Sequence, residues 1–347
     1  LKKNNIFAAM ELRYRFFVLL HQPKLNRPMN RLQVYLLCLF SGISFPLFSQ
    51  QLPLFTQYRE NQTLINPAAI SRSYLTNEQN LSFGASYRRQ WNGIEGAPQT
   101  AVLRGDFLYT DANPVTLITG GYLINDQTGP TGFSGVYGRV GGLITGDPYY
   151  GGIAAGLSLG AVQYRVNASQ IRLRDQNDLV ANDQSKIYPD VGLGVFAYKR
   201  MEGGFLKGDY LYGGISIPQV IGLDLNFKDA SGEFSTQRIQ HYYAMIGLYK
   251  FFRDDAFLEP SIWLKYLPNV PLNVDFNLRY QMAGNFWIGA GGSSSRAAHL
   301  ETGVRIGENL GMDNDLQIGY GFDYHFSPYG PYTGGSHEIN VTWSLER

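Results

Sequence analysis

The chain has 347 residues, 16% of them charged and 44% hydrophobic, with 40 glycines, 24 tyrosines and 21 phenylalanines. Water-soluble domains carry roughly a quarter charged residues, so this composition disfavours an ordinary soluble enzyme and suits strands with one lipid-facing side. Mean hydropathy is near neutral, which excludes a bundle of membrane helices built from runs of about 20 apolar residues.

The N-terminal region reads as a targeting segment. Met29-Asn30-Arg31 precedes an apolar stretch from Val34 to Phe40, followed by Ser41, Gly42 and a cleavage point after Ser49. Residues 1–49 are therefore expected to be an upstream extension and signal peptide, with Met29 the start. Residues 50–80 are expected to form a periplasmic or lumen segment, and residues 81–347 a transmembrane barrel. Cleavage would leave 22 basic and 27 acidic residues, a net charge of −5. That balance offers no basic surface for nucleic acid. Cys38 falls in the removed part, so the mature chain is expected to lack disulfides, thiolate metal sites and cysteine catalysis.

From residue 81 onward the sequence alternates apolar and polar positions in blocks closed by turn residues. A helix, with a period of 3.6, cannot carry such a pattern. Fourteen strands are predicted: 81–91, 99–109, 115–126, 132–144, 149–165, 190–200, 209–217, 239–250, 256–267, 272–281, 285–292, 299–307, 315–326 and 336–345. In the thirteenth, Leu316, Ile318, Tyr320, Phe322, Tyr324 and Phe326 share one face. Asp315, Gln317, Gly319, Gly321, Asp323 and His325 share the other. The fold class is an all-β outer-membrane barrel of about 14 antiparallel strands, with a short plug-like segment before it. Closure removes the edges that so many hairpins would expose.

An even strand count places both barrel ends on one side, expected to be the periplasm, together with both termini. Two connections of one parity, 166–189 and 218–238, are far longer than the rest, as external loops are in such barrels. The first carries Ile171, Leu173 and Leu179; the second carries Ile221, Leu223, Leu225 and Phe227 in alternation. Exposed apolar residues need a cover. Either these loops hold a partner, the second by presenting a strand, or they pack together as a lid.

The segment before the barrel holds Phe55, Gln57, Tyr58, Asn61, Leu64, Asn66 and Pro67. Phe55, Tyr58 and Leu64 fit one side of a short helix stopped before Pro67. Such a segment is either a periplasmic tail or a lumen plug whose amides bond the wall. A second block, 89–100, places Trp91 at an interface and uses Gly93, Gly96 and Pro98 as turn residues. It reads as an external hairpin or as a rigid loop over the pore mouth.

These blocks resemble the PorP/SprF family, outer-membrane proteins of the type IX secretion system in Bacteroidota. Phe55-Thr56-Gln57-Tyr58, Asn61 and Leu64-Ile65-Asn66-Pro67-Ala68 are similar to its opening signature. Gln90-Trp91-Asn92-Gly93-Ile94-Glu95-Gly96-Ala97-Pro98-Gln99-Thr100 is similar to its second block. Ser336-His337-Glu338-Ile339-Asn340-Val341 is similar to its closing strand. Ile70-Ser71 departs from the glycine that often follows the first signature. The resemblance implies a non-enzymatic role in delivering or anchoring a secreted, adhesin-like surface protein. The implied partners are that cargo, periplasmic or outer-membrane components of the secretion system, and outer-membrane lipid. The alternative class is a channel or transporter for a small hydrophobic or polar solute.

Signals for catalysis and metals are weak. Gly156-Leu157-Ser158-Leu159-Gly160 matches G-x-S-x-G, a nucleophile elbow only at a strand-to-helix turn, and here it lies inside a predicted strand. His241, His299, His325 and His337 lack metal-ligand spacing. No catalytic residue, cofactor or metal site is expected, although acid-rich loops could hold Ca²⁺.

Overall fold

The computed structural model describes residues 55–347, apart from 110–113, 168–183, 223, 230–231, 238, 253–255, 308–310 and 327–329. The expected leader, residues 1–49, lies outside the described residues.

The chain opens with two short helices, α1 (Gln62–Ile65) and α2 (Arg72–Asn77). The strands that follow are β1 (Leu81–Arg89), β2 (Gln99–Leu108), β3 (Val115–Thr128), β4 (Thr131–Asp147), β5 (Gly151–Val166), β6 (Gln184–Arg200) and β7 (Tyr210–Ile217). A small hairpin, β8 (Asp224–Asp229) and β9 (Gly232–Gln237), comes next. The series then resumes with β10 (Tyr242–Phe251), β11 (Phe257–Tyr266), β12 (Asn273–Gln281), β13 (Phe286–Ser293), β14 (Ala297–Ile306), β15 (Asn314–His325) and β16 (Ser336–Leu345). A one-turn helix, α3 (Gly330–Thr333), precedes β16.

Fourteen antiparallel strands close into a barrel; β8 and β9 form a separate two-stranded sheet. The fourteen correspond one for one to the predicted strands. Closure joins β1 to β16, with Leu81 opposite Leu345 and Arg89 opposite His337. Asn80 also donates through Nδ2 to the Arg347 carbonyl at 2.8 Å and accepts its N–H at 2.8 Å.

Alternation decides what each face meets. Leu103, Ile153, Ile215, Ile288, Leu300 and Ile339 all point outward and are exposed, as a lipid-facing wall requires. Their neighbours turn inward: Arg104 and Asp106 on β2, Asn340 and Thr342 on β16. On β15 the predicted division holds at Ile318 and Tyr320, which are exposed, and at Asp315, Gln317 and Asp323, which are buried.

Two features differ most from the sequence reading. β6 begins at Gln184, not at residue 190, so most of the expected loop end is strand. Pro189, the last residue of the expected connection, lies within β6 where no barrel neighbour among the described residues needs its N–H. The second long connection contains the β8–β9 hairpin, with Leu225 opposite Thr236 and Phe227 opposite Phe234. Leu225 and Phe227 therefore lie on a strand that is paired within the chain on its β9 side.

Candidate functional site in the lumen and at the long-connection rim

One rim of the barrel carries the turn at 90–98 and the connections 167–183, 218–241 and 326–335. The opposite rim carries the C-terminal end and the short turns. Residues 55–70 are buried without exception, and their partners lie on strands all around the wall.

The segment descends from the long-connection rim. Thr56 donates its N–H to Glu338 Oε2 at 2.5 Å and its hydroxyl to Asp323 Oδ2 at 2.8 Å. Arg88 Nη1 meets the same Asp323 Oδ2 at 2.5 Å. These partners lie at the upper ends of β1, β15 and β16. Tyr58 packs against Trp263, with ring centroids 5.5 Å apart, and its ring lies 3.6 Å from Lys265 Nζ.

Lower down, the segment's charges meet the wall's. Arg59 pairs with Glu301 of β14 and, at 3.4 Å, with Glu259 of β11. Glu60 Oε1 accepts from Arg72 at 2.9 Å and from Arg279 of β12 at 2.8 Å. Arg72 also donates to Gln317 Oε1 at 2.7 Å. Arg279 has no exposed surface, and its guanidinium carbon stands 3.6 Å over the Trp287 ring. Charges removed from water require such pairing.

The middle of the segment is held through its backbone. α1 ends at Ile65, and Asn66 is extended at φ −123° before Pro67, a residue that disfavours helix before it. The Asn66 side chain donates to the Val195 carbonyl at 3.0 Å and accepts the Ala68 N–H at 2.9 Å. Arg139 of β4 donates to the carbonyls of Pro67 and Ala69 at 3.0 and 2.9 Å. Glycines make room: a Cβ on Gly156 would lie 2.5 Å from the Pro67 carbonyl oxygen, and one on Gly194 would strike the Asn66 amide.

At the short-turn rim, Asn77 donates to Asp315 Oδ2 at 2.7 Å, and Gln79 accepts from Ser344 at 2.6 Å. α2 is capped at Ser71, whose Oγ accepts from Tyr74 N–H, and it ends at Glu78 with φ 60°.

The opening-signature residues thus lie together in the lumen, with differing contacts. Phe55 and Leu64 line a small apolar cavity of about 40 Å³ beside Tyr122 and Ile124. Asn61 Oδ1 accepts from Ser86 at 3.0 Å. The Gln57 side-chain amide has no hydrogen-bond partner among the described residues; its backbone N–H reaches Glu338 Oε1 at 3.3 Å. Helix spans only Gln62–Ile65, so Phe55 and Tyr58 lie outside it.

The second block forms a turn beyond β1. Trp91 has φ 48° and is not a strand residue; its ring packs 6.1 Å from that of His325. Gly93 N–H donates to the Thr333 carbonyl at 2.8 Å, and the Gly96 carbonyl accepts from Gly129 at 2.8 Å. Gln90 N–H donates to the Pro98 carbonyl at 2.9 Å. This turn therefore ties three connections of one rim together.

Of the loop residues, Ile171, Leu173, Leu179 and Leu223 lie outside the described residues. Leu225 and Phe227 are on β8, and Ile221 is half-buried in the coil before it. Ser158 of the G-x-S-x-G match sits inside β5 and is buried. No group of three metal-ligating side chains occurs among the described residues.

A cavity of about 610 Å³ remains above the segment at the long-connection rim, lined by Phe55, Tyr58, Lys265, Asp275, His299 and His325 among others. β6 extends at this rim well beyond its β7 neighbour. Its residues 193–200 pair with β7, but its residues 184–192 pair only with β5. The Val191 carbonyl accepts from Val220 N–H at 2.7 Å on the β7 side. Alternation then turns the backbone of Ser185, Ile187 and Pro189 to that same side, where no strand among the described residues meets it. Ile187 is 69% exposed.

A family model for the type IX secretion system membrane protein PorP/SprF matches residues 47–343. The chain belongs to this family. The PorP/SprF match thus covers the lumen segment, the rim turn and all fourteen barrel strands up to the last residues. No curated protein sequence matches. Among solved structures, the toluene transporter TodX of Pseudomonas putida is 7% identical, with 86% of this chain and 99% of that chain covered and a TM-score of 0.48. The translocator domain of the autotransporter NalP from Neisseria meningitidis is 13% identical, with 78% and 90% covered and a TM-score of 0.45. A Pseudomonas aeruginosa FadL homologue is 9% identical, with 86% and 94% covered and a TM-score of 0.43. This PorP/SprF protein is an outer-membrane β-barrel of a secretion-system family.

The buried ions Arg59, Glu60, Arg72, Glu259, Arg279 and Glu301 escaped the sequence reading. For Glu259, Arg279 and Glu301 a signal was present: charged residues at the inward parity of otherwise apolar strands.

Proposed function

We propose that this PorP/SprF barrel is a non-enzymatic docking platform that helps deliver or retain a secreted protein at the cell surface. The long-connection rim faces outward, and the C-terminal end and short turns face the periplasm, where they meet other components of the secretion system. The observation that carries this reading is the upper edge of β6. It offers a backbone ladder with an exposed isoleucine, and an extended partner segment can add to it as a strand. Pro189 blunts the edge against indiscriminate pairing. The filled lumen argues against the solute-channel alternative, since the 55–70 segment takes the space a solute would need.

The test is Ile187→Pro, which removes an edge N–H while leaving every β5–β6 bond in place. Barrel assembly should be unchanged and surface retention of a secreted protein that co-purifies with the wild-type barrel should fall. Unchanged retention would count against docking at this edge.

A further inference from the structure

We propose that the outer wall at β6 and β7 carries a binding trough for one anionic phospholipid. The trough follows from four outward positions on adjacent strands. Ile153 of β5 stands opposite Ala197 of β6, Ala197 opposite Gly213 of β7, and Gly213 opposite Ile246 of β10. The two central positions have almost no side chain, and the flanking isoleucines are 61% and 52% exposed. The result is a depression two strands wide, about 10 Å, with a volume of about 760 Å³ and an apolar floor. Gly213 keeps it open: a Cβ there would press on the Met245 carbonyl at 3.0 Å.

The end of the trough nearest the short turns is cationic and aromatic. Lys199, one outward position along β6 from Ala197, stands opposite Leu211 and lines the trough. It is exposed and has no ion-pair or hydrogen-bond partner among the described residues. Tyr150, 53% exposed, lines the same end. Arg200 lies beside it, its guanidinium carbon 5.9 Å from the Tyr150 ring and 5.8 Å from the Tyr210 ring. Asp147 also lines this end, but its carboxylate accepts the Tyr149 N–H at 2.8 Å within the turn.

An apolar depression that ends at a free ammonium and an interfacial tyrosine matches a lipid by parts. The acyl chains lie over Ala197 and Gly213, and the phosphate meets Lys199 at the height where tyrosines mark the interface. A second barrel is a poorer occupant. A β-wall is far wider than two strands and would ride on Ile153 and Ile246 without reaching the floor.

The test uses the purified, full-length barrel in detergent. Dioleoylphosphatidylglycerol is titrated in, with dioleoylphosphatidylcholine as the control of equal chains, and bound lipid is counted by native mass spectrometry. The wild type should retain one phosphatidylglycerol in preference to phosphatidylcholine. Lys199→Gln, on the exposed surface, should lower phosphatidylglycerol retention about fivefold and leave phosphatidylcholine unchanged. Ala197→Leu, which fills the floor, should lower retention of both. Equal retention of the two lipids by the wild type, insensitivity to either substitution, or pairing of barrels in place of a lipid adduct would overturn the proposal.

Discussion

Arg279 of β12 donates to Glu60 of the lumen segment at 2.8 Å, and both side chains are buried. The pair joins residues 219 positions apart in sequence, and the same Glu60 oxygen also accepts from Arg72. A single carboxylate is therefore shared by two guanidiniums, one on the segment and one on the wall, and Glu259 stands 4.0 Å from the first, Arg72. The segment is held to the barrel by charges that neither part could leave unpaired.

Glu60→Gln should destabilise the folded barrel by about 3–5 kcal/mol, because buried Arg279 loses its paired carboxylate and Arg72 keeps only Glu259 at 4.0 Å. Urea unfolding of the purified protein, followed by tryptophan fluorescence, measures this. A loss below about 1 kcal/mol would show that water or other acids neutralise Arg72 and Arg279.

Gly156→Val should push the segment off β5, since even a Cβ would lie 2.5 Å from the Pro67 carbonyl oxygen. The overpacking penalty is about 1–3 kcal/mol. A cysteine introduced at Ala68 should then react with a water-soluble thiol reagent in the variant and stay protected in the parent background. Equal reactivity would place Ala68 away from the wall.

On the lipid face, Ile318→Arg should cost about 2–4 kcal/mol at midplane depth. The neighbouring inward position behaves differently. Gln317 accepts from Arg72, so Gln317→Glu offers that cation a carboxylate and should cost much less than Ile318→Arg. Comparable penalties at the two sites would contradict the inward–outward assignment of β15.

Much of the barrel was legible because strand alternation is a local signal. Leu316 to Phe326 announce β15 without help from any neighbour, and the turn residues set most boundaries within a few positions. Where the reading fell short, the cause was non-local. The stretch before residue 190 was read as loop, but it continues β6 beyond Ile217, where β7 ends and leaves it with β5 alone. Leu225 and Phe227 read as a single open strand, and β9 proves to pair with one edge of it. The site was half legible: the Phe55–Pro67 signature marked the segment, but its ionic partners Glu259, Arg279 and Glu301 come from three strands that only closure brings together.

The segment from Phe55 to Ile70 fills the lumen. The most direct test is the conductance of the purified barrel in a planar bilayer, alongside a variant lacking residues 55–70. The intact protein should show no steady open pore, and the deletion should conduct. A steady pore of equal size in both would contradict the account and favour a solute channel.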